Sequence, residues 1–400
     1  MMHIKYSSLN AVHSNNARSL DVRRPRFEVR GLVKGFGAMV LTLLVSALFA
    51  DEANPKFLGS QSCSSSSCHG GAGEKSKQYT IWSTHDFHHA RPYATLETAR
   101  SERLAEVLKI GNPALSARCT VCHAPFATVP AERLGHDAAI TEGVSCETCH
   151  GPAENWIRSH TRPDYTHADR VAAGMRDLHN LYVRANTCVA CHQNIDPEIR
   201  AAGHPELIFE LDGQSVTMPR HWREQNSGSQ MWFVGQAVAA REMSWQLANQ
   251  KSPDRELVER WGGLLWVLSC QAQPTMNLLS PSHEDFEKAK ENYDRYAQQF
   301  ATGEFSVDPI KAVKWLAGTS GSFTDRNISR SRQSRRAERL VLALDRLLPE
   351  VHGARTNAAV NQSLNKLFTD VQSLPDFDPN QFANDLNTFH SSVAGFLETK

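Results

Sequence analysis

Three times the chain spells Cys-x-x-Cys-His: Cys119 to His123, Cys146 to His150 and Cys188 to His192. A wider version runs Cys63-Ser-Ser-Ser-Ser-Cys68-His69. Two thiols so spaced can bond the two vinyl groups on one edge of a porphyrin, and the histidine that follows can turn its imidazole onto the iron. The residues therefore predict four haem c groups. Their attachment points are Cys63, Cys68, Cys119, Cys122, Cys146, Cys149, Cys188 and Cys191, and their proximal ligands His69, His123, His150 and His192. With nine cysteines and 18 histidines in 400 residues, three recurrences of the short motif exceed chance.

Other chemistries fit less well. Cys119/Cys122 and Cys146/Cys149 could close a four-thiolate zinc site, but zinc does not require a histidine directly after the second thiol. The serine run at the first motif could be a loop carrying an ordinary disulfide. A thioredoxin-like dithiol needs a strand-helix-strand setting, and no apolar strand runs flank these cysteines.

Each proximal histidine leaves one axial position, and its occupant decides between electron transfer and chemistry on a small molecule. The supply is large: His85, His88, His89, His136, His160, His167, His179, His204 and His221 lie outside the motifs, with Met175 and Met218 beside them.

The elements that must position these groups follow from composition. Eight of the nine cysteines and 13 of the 18 histidines fall within residues 51–225. There Gly and Pro recur and periodic stretches are few, chiefly Leu96 to Ile110 and Ala168 to Arg184. Porphyrin would replace much of a side-chain core. The polar run Gln225 to Ser229 marks a boundary, and residues 226–400 read as helices. Met231 to Gln250 and Arg255 to Cys270 are two, and Ser282 with Asp285 is a capping box ahead of Phe286, Tyr293, Tyr296 and Phe300. Asp308-Pro309 and Asp378-Pro379 start two more, the second with Phe382, Leu386, Phe389, Val393 and Phe396 along one face. The expected class is mainly α: a multihaem cytochrome c domain with little regular secondary structure, followed by a helical bundle-like domain. The arginines from Arg326 to Arg339 read as a solvated helix face, with an acidic docking partner as the sharper alternative. Cys270 reads as buried packing.

Residues 1–50 carry a net charge of plus five, and the apolar run between Gly35 and Ala50 follows that basic segment. This is the pattern of an export signal, with a retained N-terminal membrane anchor as the second reading. Either way the body is exported, periplasmic in a bacterium. The remaining residues are mildly acidic, 36 basic against 41 acidic, which argues against nucleic acid as a partner.

The motifs and their neighbours resemble the tetrahaem cytochrome c-554 family. The shared pattern passes from the first site through Trp82 and His89-Ala90 to Cys119–His123, then Gly143-Val144-Ser145-Cys146-Glu147-Thr148-Cys149-His150-Gly151-Pro152, His160 and Cys188–His192. It spans roughly residues 57–195. The resemblance implies a periplasmic electron carrier with closely packed haems, and His89 and His160 as distal ligands. In the family's type member one haem lacks a sixth protein ligand. Here Gly203-His204-Pro205 and Arg220-His221-Trp222 follow the fourth site, so His204 and His221 are candidates to complete bis-histidine ligation. The widened first site and the helical C-terminal part depart from the family pattern. The expected function is electron carriage between exported redox partner proteins, after loading by the cytochrome c maturation machinery, with no residue in a catalytic role. The alternatives are a haem enzyme with one open iron acting on nitric oxide, hydroxylamine or nitrite, and a subunit of a membrane redox complex.

Overall fold

The computed structural model describes residues 54–398, apart from residues 75, 272–277, 279, 305, 352, 353, 355, 356 and 373. The expected export signal or anchor over residues 1–50 lies outside the described residues. Among those described, no helix is long and apolar enough to cross a membrane. The fold is mainly α, as expected, and the described residues hold no sheet, only one isolated parallel bridge between Phe57 and Leu134.

The chain forms two compact units that divide between Arg176 and Asp177. The N-terminal unit contains α1 (Gln78–His85), α2 (Phe87–Ala90), α3 (Pro92–Leu96), α4 (Ala99–Leu108), α5 (Ala117–His123), α6 (Cys146–His150) and α7 (His167–Ala172). The helices are short because caps and breakers crowd together. Asp86 caps α2, Pro92 opens α3, Thr98 caps α4, and α4 stops at Lys109 in the left-handed conformation (φ 55°). Besides Pro92 and Pro113, only seven apolar residues of this unit are buried among those described, and four are alanines.

The C-terminal unit contains α8 (Leu181–His192), α9 (Pro197–Ala201), α10 (Leu211–Thr217), α11 (Gly228–Ala248), α12 (Arg255–Leu268), α13 (His283–Thr302), α14 (Pro309–Ala317), α15 (Gly321–Thr324), α16 (Arg330–Leu347), α17 (Ala358–Asp370) and α18 (Pro379–Glu398). Helix α11 is apolar nearly all round and buried along most of its length, packed against α8, α10, α12 and α13. One continuous core results, with Trp232, Trp261, Phe286, Phe323, Phe382 and Phe389 fully enclosed. Gly263 permits a close approach: a Cβ there would stand 2.9 Å from the Arg335 carbonyl oxygen, so α16 lies directly on α12. The capping box at Ser282, the helix starts at Pro309 and Pro379 and the buried stripe of α18 are as expected from sequence.

Three readings change. The stretch from Ala168 to Arg184 is two helices and not one, because Gly174 takes a positive φ of 104° and Asn180 caps a new start, accepting from the amides of Tyr182 and Val183. The compact units part well before residue 225, because α8, which carries the fourth motif, buries Leu181, Ala185 and Val189 in the C-terminal core. The arginine run is only partly a solvated face: Arg326 and Arg330 are exposed, but Arg332, Arg335, Arg336 and Arg339 turn inward. Arg332 holds Glu259 of α12 through two bonds of 2.6 and 3.2 Å, and Arg335 reaches Glu256 and Glu338. Arg336 stands 5.1 Å over the Trp266 ring, and Arg339 is buried. Their neighbours Ala337, Leu340, Val341 and Leu344 drive α16 into the core, and a guanidinium carried in with them must find a carboxylate or a ring face.

Candidate haem-binding sites

In the N-terminal unit a buried carboxylate organises two motifs at once. Glu147, inside Cys146-Glu-Thr-Cys149-His150, accepts from the backbone amides of Leu58 (2.9 Å), Gly59 (2.6 Å) and Ala153 (2.6 Å). Burial pushes its pKa up, and those three amides pull it back. Glu142 takes the Ser60 amide at 2.7 Å and Glu154 the Lys56 amide at 2.8 Å. The segment leading into Cys63 is thereby fixed on the residues around the third motif. The Cys63 and Cys146 thiols interact, which lowers the pKa of the first and raises that of the second. The first and third attachment sites are therefore neighbours.

The His89 loop is tied to the same region. The Val144 amide donates to the His89 carbonyl at 2.8 Å, and the Trp82 indole donates to the Val144 carbonyl at 3.0 Å. Gly143, at φ 75°, makes this contact possible, since a Cβ there would lie 2.8 Å from the His89 oxygen.

The imidazoles share one arrangement. His69 Nδ1 meets Gln78 Oε1 at 3.0 Å, and His160 Nδ1 meets the carbonyls of Ile157 at 2.7 Å and Trp156 at 3.2 Å. His123 Nδ1 meets the Pro92 carbonyl at 3.0 Å and Thr95 Oγ1 at 2.9 Å, and His89 Nδ1 meets Asp86 Oδ2 at 2.9 Å. A ring whose Nδ1–H is held by an acceptor presents Nε2 as its metal-binding nitrogen. Burial moves His123 toward its neutral, ligating form, against the pull of the Pro92 carbonyl. The rings of His69 and His160 are nearly parallel, 17° apart, with centroids 6.1 Å from each other. Two imidazoles opposed across one iron, with metal–nitrogen bonds of about 2 Å, need that spacing.

In the C-terminal unit His192 closes α8, and its Nδ1 lies 3.2 Å from Gln214 Nε2 on α10. Gln214 Oε1 is buried without a partner. Exchanging the amide's oxygen and nitrogen, which heavy-atom positions do not distinguish, lets that oxygen accept from His192 Nδ1–H. His204 Nδ1 faces the Pro205 carbonyl at 3.2 Å. His221 lies edge-on to Trp222, whose indole donates to Glu224 at 3.1 Å, while Arg184 of α8 donates to the same carboxylate at 2.6 Å. Burial opposes ionisation of Glu224, but these donors and the Asn226 amide hold its pKa down at about 2.

Burial sorts the histidines. His69, His123, His150 and His192, and likewise His89, His160, His204 and His221, are half-buried, whereas His85, His88, His136, His167 and His179 are exposed. Seven of the eight motif thiols are half-buried and Cys68 is exposed, while Cys270 is buried as expected, its pKa pushed up to about 12 by desolvation. Gln78, Asp86, Thr95, Glu147 and Gln214 escaped the sequence reading. Asp86 sits three residues before His89, a spacing too common to stand out, and Gln214 has no sequence relation to His192.

The residues fit a haem. Phe87 (52% exposed) and Val121 (44%), the latter inside the second motif, are apolar side chains left uncovered two residues before His89 and His123 in the sequence. The Trp156 indole N–H, edge-on to His160, is buried with no acceptor from the protein. Among the described residues no three His, Cys, Asp or Glu side chains gather as one metal site, the arrangement that a four-thiolate zinc site would need.

No curated protein and no solved structure matches the chain. Residues 62–151, which contain the first three motifs, match the family described as cytochrome c554 and c-prime. That segment belongs to the cytochrome c554 and c-prime family, and the chain is a haem c-type cytochrome.

Proposed function

We propose that this cytochrome is an exported electron carrier with four haem c groups. They are thioether-bonded at Cys63/Cys68, Cys119/Cys122, Cys146/Cys149 and Cys188/Cys191, with His69, His123, His150 and His192 as proximal ligands. His89, His160, His204 and His221 supply the opposite ligands, and His160 serves the iron held by His69. The observation that carries this reading is the nearly parallel His69 and His160 pair, its centroids 6.1 Å apart, with both Nδ1 atoms committed to protein acceptors. The bound haem supplies the one-electron Fe(III)/Fe(II) couple, and the protein supplies orientation, burial and axial ligation. A histidine on both faces leaves no position for a substrate, which is the property of a carrier. The basic leader and its apolar run support export, as does the chemistry of attachment. Redox proteins are the partners on either side, and the maturation machinery loads the haem.

The test is haem counting with spin-state spectroscopy on the intact holoprotein. Four covalent haems per chain, all low-spin when ferric, are expected. His160→Ala should turn one of the four high-spin while leaving all four attached. A haem count below four, or a His160→Ala spectrum identical to that of the parent, would overturn the assignment.

A further inference from the structure

Of the six histidines above whose Nδ1 contact is defined, five face a neutral group: Gln78, Pro92 with Thr95, Ile157 with Trp156, Pro205, and Gln214. The sixth, His89, faces a carboxylate. Asp86 is 3% exposed, and its Oδ2 lies 2.9 Å from His89 Nδ1. Its other oxygen accepts from the His89 backbone amide at 3.4 Å, so the carboxylate is fixed at the start of α2 and cannot swing away without uncapping the helix.

We propose that Asp86 is a potential-setting residue: it lowers the midpoint of the haem whose iron takes His89, relative to the haems whose ligands face neutral acceptors. The inference rests on the assignment of His89 as an axial ligand. A carboxylate accepting from Nδ1–H draws that proton toward itself and makes Nε2 a stronger donor, which favours the ferric ion. The buried negative charge also favours Fe(III) over Fe(II), and little water is present to screen it. The couple is one electron on iron, and the proton stays between Nδ1 and Oδ2 in both states. Electrons that reach this haem are therefore passed on to its neighbours more readily than they are retained.

The test is a potentiometric titration of the holoprotein, followed by optical and electron paramagnetic resonance spectra, with covalent haem counted in every sample. Asp86→Asn should raise one midpoint and shift one low-spin signal while the other three stay in place, and Asp86→Glu should restore the lower value. Gln78→Glu, which puts a carboxylate on His69, should lower the midpoint of a different haem and does not touch the α2 cap. Four unchanged midpoints in a fully loaded Asp86→Asn protein would overturn the proposal, as would equal shifts of all four. If Asp86→Asn does not load, an unmoved midpoint in Gln78→Glu overturns it. Failure of the carrier assignment itself appears separately, as a wrong haem count or spin state in the parent protein.

Discussion

The two compact units solve the same thermodynamic problem with different materials. Residues 177–400 bury a continuous core rich in Trp, Phe and Leu, and the helices follow from the faces that core requires. Besides Pro92 and Pro113, residues 54–176 bury only seven apolar side chains among those described, of which Leu96, Phe126 and Trp156 are the large ones. Burial of about 25 cal/mol per Å² has to offset roughly 1–2 kcal/mol of backbone entropy per residue. So sparse a set of side chains cannot meet that requirement. On the proposed reading, four thiols and two histidines per pair of sites would do what a core does elsewhere, bringing in a large flat apolar body and fastening it covalently. A cytochrome can thus be built from short turns where the cofactor is the interior, and from long amphipathic helices where it is not.

The most drastic way to break this comparison is to withhold haem. Produced without haem attachment, the chain should lose protection across residues 54–176 while α11 to α18 stay protected. Limited proteolysis with mass mapping, or hydrogen exchange, reads this directly, and equal protection of both units would refute the comparison. A smaller but still large effect is expected from the converse cut. Trp261 is fully buried, edge-on to Phe286, with its indole donating to Ser244 at 2.8 Å. Trp261→Ala should cost about 3–5 kcal/mol in denaturant unfolding of the helical unit and leave the haem spectra of the first three sites unchanged.

The smallest effect is a pH dependence of the helical unit alone. Burial, reinforced by the charge of Glu210, lifts Asp212 to about 7 against the attraction of Arg346. The folded state therefore holds a proton that the unfolded chain releases near pH 4. The stabilisation is complete below that pH and is lost as pH rises through about 7. Asp212→Asn should flatten the slope of helical-unit stability between pH 4 and 7, measured by urea midpoints.

Much of this molecule was legible in its sequence, for reasons particular residues make plain. Covalent chemistry leaves spacing rules that no fold can hide, so Cys119 to His123 and its repeats stood out at once. Helix starts were legible where a cap and a proline coincide, as at Asp308-Pro309 and Asp378-Pro379. Gly174 broke an expected helix because an apolar periodicity can continue across a reversal of the backbone. The arginines of α16 misled because charge alone does not say whether Glu256 and Glu259 wait on a neighbouring helix. The Nδ1 partners of the candidate ligands were illegible for the same reason: a glutamine 22 residues from its histidine is a matter of tertiary structure.

Glu147 has a consequence for biogenesis. Three of the amides that it and Glu142 hold, those of Leu58, Gly59 and Ser60, lie 82 to 89 positions earlier in the chain. A polypeptide threading across a membrane from its N-terminus delivers the first attachment site long before the glutamates that shape it. On the proposed reading, the contacts that fix the entrance to that site can form only once the third motif has followed it.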